Sequence, residues 1–135
     1  MKIDGQCHCG YVSYEAEIDP ERVSICHCTD CQKLTGSPYR VTVVTSPEKI
    51  RMTGNPPKVY LKTAESGRTR RQYFCPECGS PLFVCGEDPE NTPWGIRWGS
   101  INQRRELEPK RQAWCRSAIP WAASAFKDLP GLETA

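Results

Sequence analysis

Long apolar runs are missing from this chain of 135 residues, in which only 38% of residues are hydrophobic and the mean hydropathy is −0.60. No stretch approaches the roughly 18 consecutive apolar residues that a membrane-spanning helix requires. Residues 1–5 contain no apolar signal region. We therefore expect no membrane partner and a cytoplasmic location.

The chain also has no large excess of positive or negative side chains. The 18 basic and 16 acidic side chains leave a formal charge of only +2. Proteins that bind nucleic acid through the phosphate backbone are usually far more basic than this. A nucleic-acid-binding function is therefore the least favoured of the functions considered for this chain, and we expect no nucleic-acid partner.

Cysteine, in contrast, is abundant, with nine residues in the chain. Cysteine in this amount indicates either a disulfide framework or metal binding. An odd number of cysteines without a signal peptide favours a reducing compartment, where disulfides are rare. The composition therefore predicts a metal-binding protein, and the length is that of one domain over residues 1–135.

Twelve prolines and ten glycines indicate many turns and few long helices. Apolar alternation and β-branched residues predict short strands at 11–18, 39–45, 50–53, 58–63, 69–74, 82–85, 94–101 and 112–115. We expect 50–53 and 58–63 to pair around the turn at 54–57. Helix is predicted only at 29–34, where Gly36 would end it, and at 121–127. The fold class is therefore all-β, with small antiparallel sheets and little helix.

Seven of the nine cysteines fall into three short clusters: Cys7 and Cys9; Cys26, Cys28 and Cys31; Cys75 and Cys78. Two cysteines separated by two residues can fold around one zinc ion, and Pro76 and Gly79 suit the tight loop around the last pair. A structural zinc site uses four protein ligands, whereas a catalytic site uses three and leaves one position open. Seven ligands divide into four and three.

Two partitions of these cysteines are open. In the first, Cys26, Cys28 and Cys31 bind one ion, and Cys7, Cys9, Cys75 and Cys78 close a structural site. In the second, Cys28, Cys31, Cys75 and Cys78 form one ordinary four-cysteine site from two knuckles. The close spacing of three cysteines within residues 26–31 favours the first.

Other polar and aromatic residues have a structural and a functional interpretation. His8 and His27 lie between cysteines and could move protons, although an outward or thiolate-bonded position is favoured. Arg68, Arg70, Arg71, Arg104 and Arg105 fit a solvated edge better than a carboxylate site, whereas Arg97 is the better binding candidate. The simplest interpretation of Trp94, Trp98, Trp114 and Trp121 is core packing. Cys85 and Cys115 are predicted to be free thiols.

The cysteine motifs resemble those of the glutathione-dependent formaldehyde-activating enzyme family, which includes the centromere protein V group. The resemblance lies in Gly5–Tyr14 around Cys7 and Cys9, in 26–33 with Gly36 and Ser37, in 74–82 around the last knuckle, and in 97–100. The closing Ser117, Pro120 and Trp121 also fit. Gln112 stands where the family often has histidine, and Asn102 where it often has an acidic residue.

The resemblance implies a β-tent fold with one structural zinc on Cys7, Cys9, Cys75 and Cys78. It implies a second, labile zinc on Cys26, Cys28 and Cys31, which would be the catalytic residues, and glutathione as co-substrate, with Arg97 as the candidate residue for binding it. The implied reaction is a carbon–sulfur lyase-type reaction, in which a small-molecule thiol and an aldehyde such as formaldehyde form a hemithioacetal. The alternative is a non-catalytic zinc module that carries a thiol or aldehyde or acts as a protein adaptor.

Overall fold

The computed structural model describes residues 1–134, which form two β-sheets and short helical segments. The ten strands are β1 (Lys2–Gln6), β2 (Ser13–Glu17), β3 (Val23–Cys26), β4 (Arg40–Thr45), β5 (Ile50–Met52), β6 (Lys58–Thr63), β7 (Thr69–Phe74), β8 (Pro81–Cys85), β9 (Trp94–Arg97) and β10 (Arg111–Ala113). The predicted mostly β chain with little helix is confirmed.

The smaller sheet has three antiparallel strands in the order β1-β2-β5. Here the structure corrects the predicted pairing of 50–53 with 58–63. β5 pairs with β2, whereas β6 pairs with β7 in the other sheet. The turn at 54–57 suggested a hairpin, but β5 instead aligns Ile50 with Ala16 and Met52 with Tyr14 of β2.

The larger sheet has seven strands in the order β10-β3-β4-β9-β8-β7-β6. All neighbouring pairs are antiparallel except β10 and β3, which run parallel and align Ala113 with Cys26. β9 is shorter than the predicted 94–101, because Trp98–Ser100 form a 3₁₀ turn. Strand β1 was not predicted from the sequence, because it has a single strongly apolar residue, Ile3, and contains Gly5 and the charged Lys2 and Asp4.

The core lies between the two sheets. Ile3, Tyr14 and Ala16 of the smaller sheet belong to the same buried cluster as Phe83 and Ile96 of the larger one. The Tyr14 and Phe83 rings meet edge to face with centroids 4.9 Å apart, a favoured aromatic geometry. Side chains alternate across a strand. The opposite face of the larger sheet is therefore free to carry polar residues.

The larger sheet is curled, so that the segments that follow β3 and β10 at one edge contact β6 and its following loop at the other edge. Lys62 on β6 lies 3.0 Å from Asp30, which follows β3. Arg116, which follows β10, lies 2.6 Å from Glu65, just beyond β6. The face opposite the core is thereby concave, and it includes the side chains of Arg40, Thr42 and Arg97 on β4 and β9, which lie opposite in register to the core-facing Val43 and Ile96.

Two short α-helices complete the described chain, α1 (Thr29–Thr35) and α2 (Pro120–Ala123). Gly36 ends α1 in a left-handed conformation, as predicted, with φ of 65°. The second predicted helix, at 121–127, is instead α2 followed by a 3₁₀ turn over Ser124–Phe126. Neither helix has the length and apolar character to cross a bilayer.

Candidate functional site

Cys7, Cys9, Cys75 and Cys78, which we call the four-cysteine cluster, bring their sulfur atoms within 4.8 Å of one another. The Sγ atoms of Cys7 and Cys9 are 3.7 Å apart, and those of Cys9 and Cys75 are 3.8 Å apart. A tetrahedral zinc with bonds of about 2.3 Å places its sulfur ligands about 3.8 Å apart, whereas a disulfide requires about 2.0 Å. The cluster therefore has the dimensions of a zinc–tetrathiolate site.

Backbone amides hold these sulfur atoms in place. The amide of Val12 donates to Cys7 Sγ at 3.3 Å, and the amides of Glu77 and Cys78 donate to Cys75 Sγ at 3.4 Å. Gly79, with φ of 78°, makes the reversal that closes the second loop. Such donors stabilise sulfur as thiolate. Cys7 and Cys75 are buried. The cluster brings the N-terminal segment of the chain into contact with the segment around residue 75.

Cys26, Cys28 and Cys31, which we call the three-cysteine cluster, also bring their sulfur atoms within 4.8 Å of one another. Cys26 ends β3, Cys28 caps α1, and Cys31 lies in its first turn. The amide of Cys31 donates to Cys28 Sγ at 3.3 Å. The alternative site of Cys28, Cys31, Cys75 and Cys78 is wrong, because the described side chains group as four and three.

Hydrogen bonding within the three-cysteine cluster favours the thiolate form of one residue, Cys28. Hydrogen bonds from the thiols of Cys26 and Cys31 lower the pKa of Cys28 well below its usual range, with a further contribution from Lys62. The hydrogen bond with Cys28 raises the pKa of Cys26. Cys28 is therefore favoured in its deprotonated form. A thiolate is a suitable ligand for zinc.

His27 lies between two of these cysteines and is 1% exposed. Its Nε2 lies 2.8 Å from Oε1 of Gln112, so it does not bond a thiolate, and the favoured outward position is wrong for this residue. His8 is exposed, as expected, and its amide donates to Ser80 Oγ at 3.0 Å. Neither imidazole belongs to a cluster of potential metal ligands among the described residues.

A cleft of ≈ 740 Å³ opens beside the four-cysteine cluster. Cys7 and His8 line one side, and Arg40 and Arg97 line another. The sulfur atoms of the three-cysteine cluster do not line the cleft themselves. Arg40 and Arg97 lie between the cleft and the three-cysteine cluster, and the charge of each interacts with Cys26 and Cys31. A volume of this size accommodates a ligand as large as a small peptide.

Residues 2–117 match the family described as glutathione-dependent formaldehyde-activating enzyme. This chain belongs to that family. The resemblance inferred from the cysteine motifs is therefore confirmed, and the match covers both cysteine clusters and both arginines of the cleft.

Two further proteins are similar to this member of the glutathione-dependent formaldehyde-activating enzyme family. An uncharacterized lyase of Schizosaccharomyces pombe is 25% identical over 97 residues, which are 72% of this chain and 67% of that protein. A crystal structure of a Rhodobacter sphaeroides protein superposes with a TM-score of 0.61, covering 96% of this chain and 99% of the other. At 16% identity, this second likeness shows a shared fold.

The tryptophans and the two remaining cysteines of this family member differ in how deeply they are buried. Trp94 packs in the core against Tyr73, with ring centroids 5.1 Å apart, whereas Trp121 is 76% exposed and its predicted core position is wrong. Trp98 lines the cleft. Cys85 is buried and Cys115 half-buried, and both are free thiols, as predicted.

Sequence reasoning missed Arg40, which is 5% exposed and lies opposite Cys26 across the β3–β4 pair. An arginine opening a β-branched strand resembles an ordinary solvated strand end. Only the register with Cys26, which neither segment reveals alone, places its guanidinium near thiolates.

Proposed function

We propose that this chain is a zinc-dependent lyase-type enzyme that interconverts a thiol and an aldehyde with their hemithioacetal, with glutathione and formaldehyde as the expected pair. The observation that carries the proposal is the division of seven cysteines into a four-cysteine and a three-cysteine cluster. Family membership and a relative named as a lyase support the same reaction type.

Cys26, Cys28 and Cys31 would hold the catalytic zinc, and Cys7, Cys9, Cys75 and Cys78 the structural one. Zinc with three protein ligands supplies an open position and Lewis acidity, and it favours the thiolate form of a bound thiol. With three thiolates the centre carries −3 + 2 = −1, which moderates its attraction for a carbonyl oxygen. Favouring a substrate thiolate is therefore at least as important as polarising the aldehyde.

The chain's own residues position the reactants. Arg97 is the candidate for binding glutathione, because it is among the residues of the cleft and its charge interacts with Cys26 and Cys31 of the three-cysteine cluster. The addition joins the thiol sulfur to the carbonyl carbon and transfers the thiol proton to the carbonyl oxygen, so no oxidant or reductant is required. Proximity alone contributes much to the rate of such a bimolecular step.

The second candidate is a carrier that binds thiol or aldehyde without turnover. It is favoured by the same −1 charge, because a centre with weakened Lewis acidity polarises a carbonyl poorly. The two candidates differ in one measurement: a carrier leaves the rate of hemithioacetal formation at its spontaneous value.

The test combines metal content with turnover. Zinc per chain is measured for the wild type, for Cys28→Ser and for the matched control Cys115→Ser, whose thiol belongs to neither cluster. Exchange of formaldehyde with glutathione is then followed by NMR against the uncatalysed rate. We expect two zinc ions in the wild type and control, one in Cys28→Ser, and loss of catalysis only in Cys28→Ser.

Two results would contradict the proposal. One is catalysis that survives in a folded Cys28→Ser variant with a single zinc. The other is a wild type with both ions bound whose exchange rate equals the spontaneous one, which would favour the carrier.

A further inference from the structure

The three-cysteine cluster lies on the opposite face of the larger sheet from the cleft. Ile25 and Val41 are paired in register on β3 and β4, and both line the cleft. Cys26 and Arg40 form the next pair, and successive side chains of a strand point to opposite faces. Cys26 and Cys28 are half-buried, so solvent reaches the cluster. Because none of its sulfur atoms lines the cleft, this access is from the concave face.

Two ion pairs span the opening of the concave face, and we call them the latch. Asp30 of α1 pairs with Lys62 of β6 at 3.0 Å, and the Lys62 side chain is only 16% exposed. Arg116 pairs at 2.6 Å with Glu65, in the turn after β6. The part of the chain that the structure describes has three salt bridges, and the third lies within the smaller sheet. Two of the three therefore join the same two edges of the curled sheet.

The two latch residues on the cluster side belong to one unit. Gln32 of α1 donates from Nε2 to the carbonyl of His27 at 2.9 Å and to that of Ser117 at 3.1 Å. Ser117 follows Arg116 directly in one 3₁₀ turn. The helix that carries Asp30 and the turn that carries Arg116 are therefore held together, and the latch connects both to β6.

A strained residue and its aromatic ring position Arg116. Trp114 has φ of 58° and is the only residue other than glycine with a positive φ within residues 1–134. This conformation is unfavourable for a bulky L residue and is retained only where the surrounding structure requires it. The Arg116 guanidinium carbon lies 5.0 Å from the centroid of the Trp114 ring, a cation–π geometry. The turn thereby presents Arg116 to Glu65 across the opening.

The other side of the latch is the end of a β-hairpin. β6 is an edge strand that pairs with β7 alone among the described strands, and the turn between them closes through the Ala64 amide, which donates to the Arg68 carbonyl at 2.8 Å. Glu65 lies in this turn with its side chain 65% exposed. An ion pair this exposed contributes only modestly to stability, and peripheral elements open more readily than central strands. The hairpin is therefore the part that moves when the latch opens.

We propose that the latch controls the opening of the concave face, so that movement of the β6–β7 hairpin, and not the cleft, determines how fast solutes reach the three-cysteine cluster. Each ion pair favours the closed arrangement, and loss of one pair increases the open fraction. The rates of entry and exit then rise together. The affinity of the cluster for a metal ion stays the same, because no ligand has changed. Using zinc to follow these rates rests on the proposed function, whereas the route of access does not.

The first test breaks the pair of Arg116 and Glu65, because Asp30 lies between two proposed zinc ligands in the sequence. Zinc-loaded protein is mixed with excess chelator, and release of the ion that Cys28→Ser lacks is followed in time. Its uptake by protein freed of that ion is measured by stopped flow. Glu65→Gln and Arg116→Gln should each raise both rates about two- to fivefold with equilibrium zinc affinity unchanged.

Two matched variants show that the effect comes from the pair. The exchanged pair, Glu65→Arg combined with Arg116→Glu, should return both rates to nearly their wild-type values. Glu15→Gln removes the salt bridge of the smaller sheet and should change neither rate. Asn102→Trp narrows the cleft, because Asn102 is exposed and lines it, and it too should change neither rate.

The second test needs neither zinc nor turnover. Protein freed of the ion in the three-cysteine cluster is treated with iodoacetamide, and alkylation of Cys28 is followed by peptide mass spectrometry. Glu65→Gln should accelerate this alkylation by the same factor as zinc release. The exchanged pair should again restore the wild-type rate.

Four results would overturn the proposal. They are wild-type rates in a folded Glu65→Gln variant, an exchanged pair as fast as either single variant, and slower zinc release in Asn102→Trp. The fourth is a change in zinc affinity that accounts for the change in rate, which would assign the pair to the stability of the metal site.

The latch and the proposed reaction fail separately. Rates that depend on the pair in a protein without turnover would refute the lyase-type reaction alone. Catalysed hemithioacetal formation in a protein whose rates of zinc exchange and alkylation ignore the pair would refute the latch alone.

Discussion

The Oε1 atom of Gln112 lies 2.8 Å from Nε2 of His27, next to the three-cysteine cluster. The amide nitrogen of the same side chain donates to the carbonyls of Phe126 and Leu129 at 2.9 and 3.0 Å. Because both amide hydrogens are used there, Oε1 must accept, and His27 must carry its proton on Nε2. One side chain therefore fixes the histidine tautomer and holds the C-terminal segment on the sheet.

Replacing Gln112 with leucine should loosen that segment. The change leaves two carbonyls and one ring N–H without their partners, which we expect to cost roughly 2–3 kcal/mol in the free energy of unfolding. Amide hydrogen exchange near residues 126–132 should rise above that of the wild type. Gln103→Leu is the control, because Gln103 bonds the exposed Asp4 and should cost under about 1 kcal/mol. Equal effects of the two variants would contradict this role.

Gly5→Ala should strongly destabilise the contact between the sheets. A Cβ at this position would lie 2.3 Å from both the Ser100 carbonyl oxygen and the Tyr14 hydroxyl, and the Tyr14 hydroxyl is itself held by Ser100 Oγ at 2.7 Å. We expect a loss of roughly 3 kcal/mol and a fall in Tm of about 10 °C, measured by calorimetry. Gly99→Ala, which meets open space, should shift Tm by less than about 2 °C.

If the chain binds two zinc ions as proposed, chelation should remove them in order. The three-cysteine cluster has one fewer ligand, whereas the four-cysteine cluster also closes the segment between Cys9 and Cys75, 66 positions apart. Increasing chelator should therefore release the first zinc with the far-ultraviolet spectrum unchanged and the second together with unfolding. A colorimetric zinc indicator and circular dichroism, recorded on the same sample, check this. Unfolding with the first ion would show that the assignment is reversed.

Lys62→Met should weaken zinc binding at the three-cysteine cluster. Lys62 extends from the far strand of the curled sheet to Asp30, and its charge contributes to lowering the pKa of Cys28. Removing one partly screened charge should weaken zinc binding at the three-cysteine cluster about fivefold, measured by competition with a chelator. Lys58→Met changes the same face of the same strand farther from the cluster and should have no effect. A change confined to the zinc of the four-cysteine cluster would contradict this prediction.

The sequence by itself determined the family of this protein and the cysteine motifs that could hold zinc. Cysteine spacing within 26–31 and 75–78 predicts metal knuckles, because these cysteines lie within one or two turns of each other and local geometry alone brings their sulfur atoms together. The same locality explains why α1, its Gly36 cap and most strands are predictable. It also explains why the family is recognisable from short motifs.

Tertiary structure alone decided how these pieces are combined. The joining of Cys7 and Cys9 to Cys75 and Cys78 depends on contacts across some seventy residues, and spacing left a second partition open. The position of β5 beside β2, the parallel pairing of β10 with β3, and the convergence of Arg40, Arg97 and Gln112 near one cluster depend equally on register between distant strands. Register is set by the burial of whole sheet faces, which no single segment encodes.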